Sequence, residues 1–137
     1  VRTIASLKAV GCAKHFQYQA QTHQSGGRIF QDETCTMIDR NGIPMPALAA
    51  HAAAVYFLED AQAKGVDELK VGGAKITICH FLAGKETTDV VWTRTPTAFK
   101  NLAALKWEGK KAFDMMGNPV ALSGETVLAA SPIYLVK

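Results

Sequence analysis

"ELKVGGAKITICHFLAGKETTDVVWTR", residues 68–94, decides how this chain folds. Within it Ile76, Ile78, His80 and Leu82 alternate with Thr77, Cys79 and Phe81. A strand with this pattern is largely apolar on both faces, and such a strand belongs in the interior of a sheet. Gly72-Gly73 before it and Ala83-Gly84-Lys85 after it are turn signals that separate it from the short β runs "ELKV" and "TDVVWTR". The same grammar continues through "LAALKWEG", "KAFDMM", a Gly-Asn-Pro turn, "VALSG", "TVLAA" and "SPIYLV". Short β runs at this regular spacing predict a small antiparallel β-sandwich over residues 65–137.

Upstream of Gly65 the pattern is different. "MPALAAHAAAVYFLEDAQAKG" starts with Pro46, suited to a first helical turn, and ends with Lys64 and Gly65 as a basic last turn and glycine stop. Leu48, Ala52, Val55 and Leu58 or Glu59 follow the spacing of an apolar helix stripe. At the start of the chain, "VRTIASLKAVG" reads as a short helix with Ile4, Leu7, Ala9 and Val10 on its apolar side and Gly11 as its cap. "KHFQYQ" follows as a strand, with Phe16 and Tyr18 on one face and His15, Gln17 and Gln19 on the other. From Ala20 to Pro46 no period is sustained, and "HQSGGR" and "DRNGIPMP" are loop signals. A loop of that length covers a site or packs on a missing partner. The expected class is α+β, divided into residues 1–64 (helix, strand, long loop, helix) and residues 65–137 (sandwich).

The 137 residues are 48% hydrophobic, enough for one sizeable core or two small ones. The formal charge of +3 is scattered without a basic block, which argues against a nucleic-acid surface. The three cysteines, Cys12, Cys35 and Cys79, are far apart and read as buried, reduced thiols instead of a disulfide framework or a zinc site. No run approaches the roughly 18 to 20 apolar residues that span a bilayer. The flanks of residues 1–11 are wrong for a signal peptide, and a first residue of Val leads us to expect further chain upstream.

Paired carboxylates are the minimum equipment for glycoside hydrolysis. Asp32 and Glu33, adjacent in the long loop, read as a solvated patch, while Glu59, Asp60, Glu86, Asp89 and Asp114 read as surface or capping residues. His15, His23, His51 and His80 never stand at metal-ligand spacing, so no metal is expected. Of the four, His15 and His23 are the ones placed to line a cleft. Cys12, at a helix C-terminal end, is not set up as a nucleophile. Trp92 and Trp107 could stack on sugar, but each lies in an apolar strand run and reads as core. "SGG" at 25–27 lacks a phosphate-loop context, and no cofactor is implied.

Taken in order, "VRTIASLKAVGCAKHFQYQ", a long loop, "DRNGIPMPALAAHAAAVYFLED" and a β region ending "FDMMGNPVAL…SPIYLV" resemble the C-terminal end of clan A-type retaining glycoside hydrolases. In that family a (β/α)8 barrel is followed by a β-sandwich. The resemblance makes Val1, Arg2 and Gly11 bounds of the seventh barrel helix and places Tyr18 on the eighth strand. Asn41, Gly42, Pro44, Pro46 and Ala47 match the segment that opens the last barrel helix. Asp114, Gly117, Asn118, Pro132, Tyr134 and Leu135 match the closing hairpin of the sandwich, with Tyr134 anchoring the terminal strand.

The resemblance implies a terminal βα unit of a (β/α)8 barrel plus an accessory sandwich, with both catalytic glutamates upstream of Val1. No residue here matches either catalytic motif, so the chain alone is expected to be inactive and no catalytic residue is assigned. Tyr18, Gln19 and the loop around His23 would contribute to the sugar site at the C-terminal end of the last strand. The expected partner is a carbohydrate substrate, reached through the parent protein, and not nucleic acid or a membrane. An isolated barrel end also implies a poorly packed N-terminal third, whose exposed apolar helix surface would favour self-association. The alternative is a stand-alone carbohydrate-binding or protein-interaction sandwich without catalysis.

Overall fold

Cross-strand pairing begins three residues before the glycine that looks like a helix stop. In the computed structural model, which describes residues 1–13, 37–39, 41–99, 107–122 and 126–137, the elements in chain order are α1 (Arg2–Ala9), α2 (Pro46–Leu58), β1 (Gln62–Val71), β2 (Ala74–Ala83), β3 (Glu86–Thr93), β4 (Thr97–Phe99), β5 (Lys111–Phe113), β6 (Pro119–Val120), β7 (Thr126–Leu128) and β8 (Ile133–Val136). The expected helix through residue 63 therefore ends at Leu58. Gln62 and Ala63 pair instead with Leu82 and Phe81, and Gly65 sits at a register irregularity inside β1. Pairing along a ten-residue strand outweighs the helix propensity of "QAK".

Six strands form one sheet in the order β1-β2-β3-β8-β5-β6, every neighbour antiparallel, and β4 and β7 form a separate pair. The architecture is α+β: two helices and antiparallel sheet in a small sandwich-like arrangement. β2 is flanked on both sides, as its two apolar faces predict. Gly72 and Gly73, at φ +58° and +83°, make the two-residue turn between Val71 and Ala74, a conformation that side chains with a Cβ resist.

The sheet separates two apolar clusters. On one face Cys79, Phe81, Val90, Trp92 and Tyr134 pack with Ala5 of α1, Ala53 and Leu58 of α2, and Ala61. On the other, Ile76, Ile78, Val91 and Leu135 pack with Trp107, Ala112 and Leu128. The described parts of the first third are thus packed on the sheet, contrary to the expectation that they lack a partner surface. Helix stripes shift as well. In α2 the buried residues are Ala50, Ala53, Ala54 and Leu58, while Val55 is exposed. In α1 it is Ala5 that is buried, and Val10 is exposed. "PALAAHAAAVYFL" is apolar nearly all round, so spacing alone does not choose its buried side.

Three local features match their expected roles. Gly11 donates its amide to the Lys8 carbonyl (3.0 Å) and Cys12 to Leu7 (2.9 Å), which closes α1 in a Schellman motif. Ile38 and Pro44 form a bridge, and the amides of Asn41 and Ile43 donate to the Asp39 carboxylate (2.8 and 2.7 Å), so the described residues before α2 lead into it through a turn. In the Gly-Asn-Pro turn, the Asp114 carboxylate accepts from the Met116 amide (2.8 Å), the Asn118 amide (2.9 Å) and the Asn118 side chain (2.9 Å). Gly117 has φ +89°, and a Cβ there would lie 3.5 Å from the Ala53 Cβ, so the turn sits against α2. Among the described residues no helix is long and apolar enough to cross a membrane.

Candidate functional site

The two-residue turn at Gly84-Lys85 places Ala83 opposite Glu86 and therefore His80 opposite Asp89. Both side chains lie on the sheet face away from the helices, since they fall in phase with Ile78 and Val91. His80 Nδ1 is 2.7 Å from Asp89 Oδ1, and Nε2 is 3.2 Å from Asp67 Oδ2 on β1. Lys110 donates from Nζ to the other Asp89 oxygen. The turn that carries Lys110 is closed by its amide donating to the Trp107 carbonyl (3.2 Å), and the buried Trp107 indole anchors it on the sheet. The four groups line a concavity of about 580 Å³ together with Leu69 and Thr87.

Exposure grades sharply across this network. The side chain of Asp89 is 9% exposed and that of Lys110 15%, against 32% for His80 and 66% for Asp67. A buried carboxylate is tolerated because both its oxygens are engaged by donors. Two carboxylates can accept from one imidazole only when both ring nitrogens carry protons. In that state two anions face two cations and the network is neutral.

This chemistry is that of a clamp. Among the described residues His80 hydrogen-bonds to the two carboxylates and to no hydroxyl or thiol, so no nucleophile stands where a catalytic base would need it. Both Asp89 oxygens accept within the network, one facing His80 and one facing Lys110. No cluster of His, Cys, Asp or Glu suited to a metal ion occurs among the described residues. The clamp joins β1, β2, β3 and the turn at 107–110.

The residues expected at the sugar site, Tyr18, Gln19 and His23, lie outside the described residues, as do His15, Asp32, Glu33 and Cys35. Trp92 and Trp107 are 7% and 2% exposed, which places both in the core, Trp92 on β3 as expected and Trp107 at a turn instead of in the expected strand. Cys79 is buried, and desolvation pushes its thiol up to about 11. Cys12, expected to be buried, is exposed at the end of α1. Asp89, expected at the surface of a hairpin, is 6% exposed overall. His51 is half-buried on α2.

In the sequence His80 stands at no metal-ligand spacing and reads as a strand residue, which does not disclose the clamp. A signal was present: a two-residue turn at Gly84-Lys85 forces positions 80 and 89 into register. Lys110 gave none, because the contact joins residues 21 apart through a turn of irregular structure. No protein-family model matches the chain, and neither a curated protein nor a solved structure matches it.

Proposed function

We propose that this chain is the barrel end and accessory β-sandwich of a glycoside hydrolase-like protein, with a structural sandwich and with the chemistry residing in the upstream barrel. The observation that carries the structural role is the burial of both tryptophans, Trp92 at 7% and Trp107 at 2% exposed. Sugar-binding sandwiches work through exposed aromatic planes, and neither indole offers one. Two further features support the reading. α2 opens at Pro46 directly after the Asn41-Gly42 turn, and Tyr134, 0% exposed, holds the terminal strand in the core.

In this reading the residues upstream of β1 supply the last strand and helix of the barrel, and Tyr18, Gln19 and His23 approach the substrate. The parent enzyme cleaves β-linked glycosides by double displacement, using two strand-end glutamates. The exposed Tyr56 and Val55 of α2, 82% and 40% exposed, face either a neighbouring part of the parent or a second copy.

Reading the gene upstream of the Val1 codon tests the proposal most directly. Roughly 250 codons of βα repeats with two strand-end glutamates sustain it, whereas a start codon or a signal-cleavage site immediately before Val1 removes it. A second measurement addresses the sandwich. Tryptophan emission shielded from acrylamide and unresponsive to oligosaccharides is the expected result, and a saturable shift on adding neutral oligosaccharide would instead favour a carbohydrate-binding module.

A further inference from the structure

On the helix-covered face, register places Glu68 of β1 opposite Thr77 of β2, and Thr77 opposite Trp92 of β3. This row floors a cleft of about 450 Å³ whose wall is α1, contributed by Arg2, Thr3 and Ser6, and whose rim carries Lys75 and Arg94. The charges do not cancel. Lys75 Nζ and Glu68 Oε1 form an ion pair at 2.6 Å, which occupies the single carboxylate among the cleft's described lining residues. Arg2 and Arg94 have no carboxylate partner among the described residues. The first turn of α1 adds no acidic residue.

We propose that this cleft binds an oxyanion group, a sulfate, phosphate or carboxylate carried on a larger molecule. Guanidinium presents paired N–H donors in a planar fork that matches two oxygens of such a group, and it stays charged at every working pH. Two of these forks meet the group from different elements, Arg2 from the helix wall and Arg94 from beyond the end of β3. The hydroxyls of Thr3, Ser6 and Thr77 are donors for the remaining oxygens. A cation is a poor occupant, because the one carboxylate is already paired and two positive groups flank the space. Neutral apolar ligands gain nothing from a lining so rich in donors. The cleft is several times larger than one bare ion, which fits an anionic substituent arriving with the molecule that bears it. This site stands apart from the barrel reading, and neither depends on the other.

Trp92 in the floor supplies the readout. The full chain is titrated with sodium sulfate, sodium phosphate and sodium acetate at constant ionic strength, with sodium chloride as reference, while tryptophan emission and heat are followed. Saturable binding in the millimolar range is expected for at least one oxyanion, with chloride silent. Sulfate and phosphate without acetate assigns a tetrahedral group, and acetate alone assigns a carboxylate.

Arg94→Gln and Arg2→Gln are each expected to weaken binding by about tenfold, the loss of one bidentate charged contact. Arg94→Lys is expected to recover only part of that, since it keeps the charge without the fork. Lys64→Gln, on the far face beside the clamp, is expected to bind as the parent does. Both arginines are exposed, so circular dichroism should show all four variants folded. Silence from every oxyanion, or equal affinity in the parent and in Arg94→Gln, overturns the proposal.

Discussion

The two faces of the central sheet are made by the same strands and each buries an apolar cluster, yet they treat buried polar atoms in opposite ways. On the face away from the helices, Asp89 is buried with both oxygens matched, one by His80 and one by Lys110. Under the helices, Tyr134 is fully buried and its hydroxyl has no hydrogen-bond partner among the described residues, while Phe57 stacks on its ring at 4.4 Å. The first face holds together through a charged network whose parts depend on one another. The second holds through contact area, and its buried phenol hydroxyl adds no hydrogen bond among the described residues. Deleting a polar group should therefore be costly on one face and cheap on the other.

The largest effect belongs to Asp89→Asn. It leaves the Lys110 ammonium, 15% exposed, without a counter-charge and removes one acceptor from His80, and breaking one partner out of a buried pair costs about 3 kcal/mol or more. Urea denaturation measures it. Adding Lys110→Met to that variant should recover part of the loss, since the stranded charge is then gone. Loss below about 0.5 kcal/mol, the level typical of a surface ion pair, would show that water already screens the clamp.

Alkaline pH probes the other face. Burial pushes the Cys79 thiol up to about 11 and raises the Tyr134 phenol in the same direction. A raised folded-state value means that the folded chain holds its proton longer than the unfolded chain. The stability is fully present below about pH 9 and falls as pH rises towards 11, at up to about 1.4 kcal/mol per pH unit for each group. Thermal melts between pH 8 and 11 should show the fall, and Cys79→Ala should flatten its lower part. A level profile across that range is incompatible with a buried thiol at this position.

A smaller, acid-side effect belongs to the turn between β5 and β6. Burial would raise the Asp114 carboxyl, but hydrogen bonds from the Asn118 side chain and from the amides of Asn118, Met116 and Gly117 outweigh it and hold the group below its usual value. A depressed carboxyl stabilises above its unfolded value and loses that contribution as pH falls through the folded one, here below about pH 4. Asp114→Ala should cost about 1 to 2 kcal/mol at neutral pH, the range for a side chain capping several amides. In that variant the acid limb of the profile should shift by less than in the parent. Equal acid limbs would mean that the turn is held by Gly117 and Asn118 alone.

How far the sequence discloses this molecule follows from the range of each interaction. β2 and its neighbours are legible because period-2 alternation and two-residue turns are local, and the same turns fix register over ten residues. The end of α2 is not legible, since "EDAQAKG" satisfies helix-stop rules while Gln62 and Ala63 are claimed by Leu82 and Phe81 some twenty residues on. The buried side of α2 is hidden for another reason: alanine on every face leaves the choice to the sheet it meets. Of the clamp, the His80–Asp89 pair could be read from the hairpin and the Lys110 contact could not. The arginine cleft was invisible, because Arg2 and Arg94 converge only through the packing of α1 over β1 and β2.

Tyr134→Phe gives the smallest expected change and the sharpest contrast with Asp89→Asn. A buried hydroxyl without a partner has lost its water and gained nothing, a deficit of about 1 to 3 kcal/mol that the variant removes. The ring keeps its stacking on Phe57 and its place among Phe81, Val90 and Trp92, so no cavity opens. Stability should stay level or rise by about 1 kcal/mol, and the alkaline fall should shrink to the part owed to Cys79. A loss of 1 kcal/mol or more would show that a bound water or an unseen donor satisfies the hydroxyl. The helix-covered face would then depend on a polar contact too, and the contrast between the two faces would be one of degree.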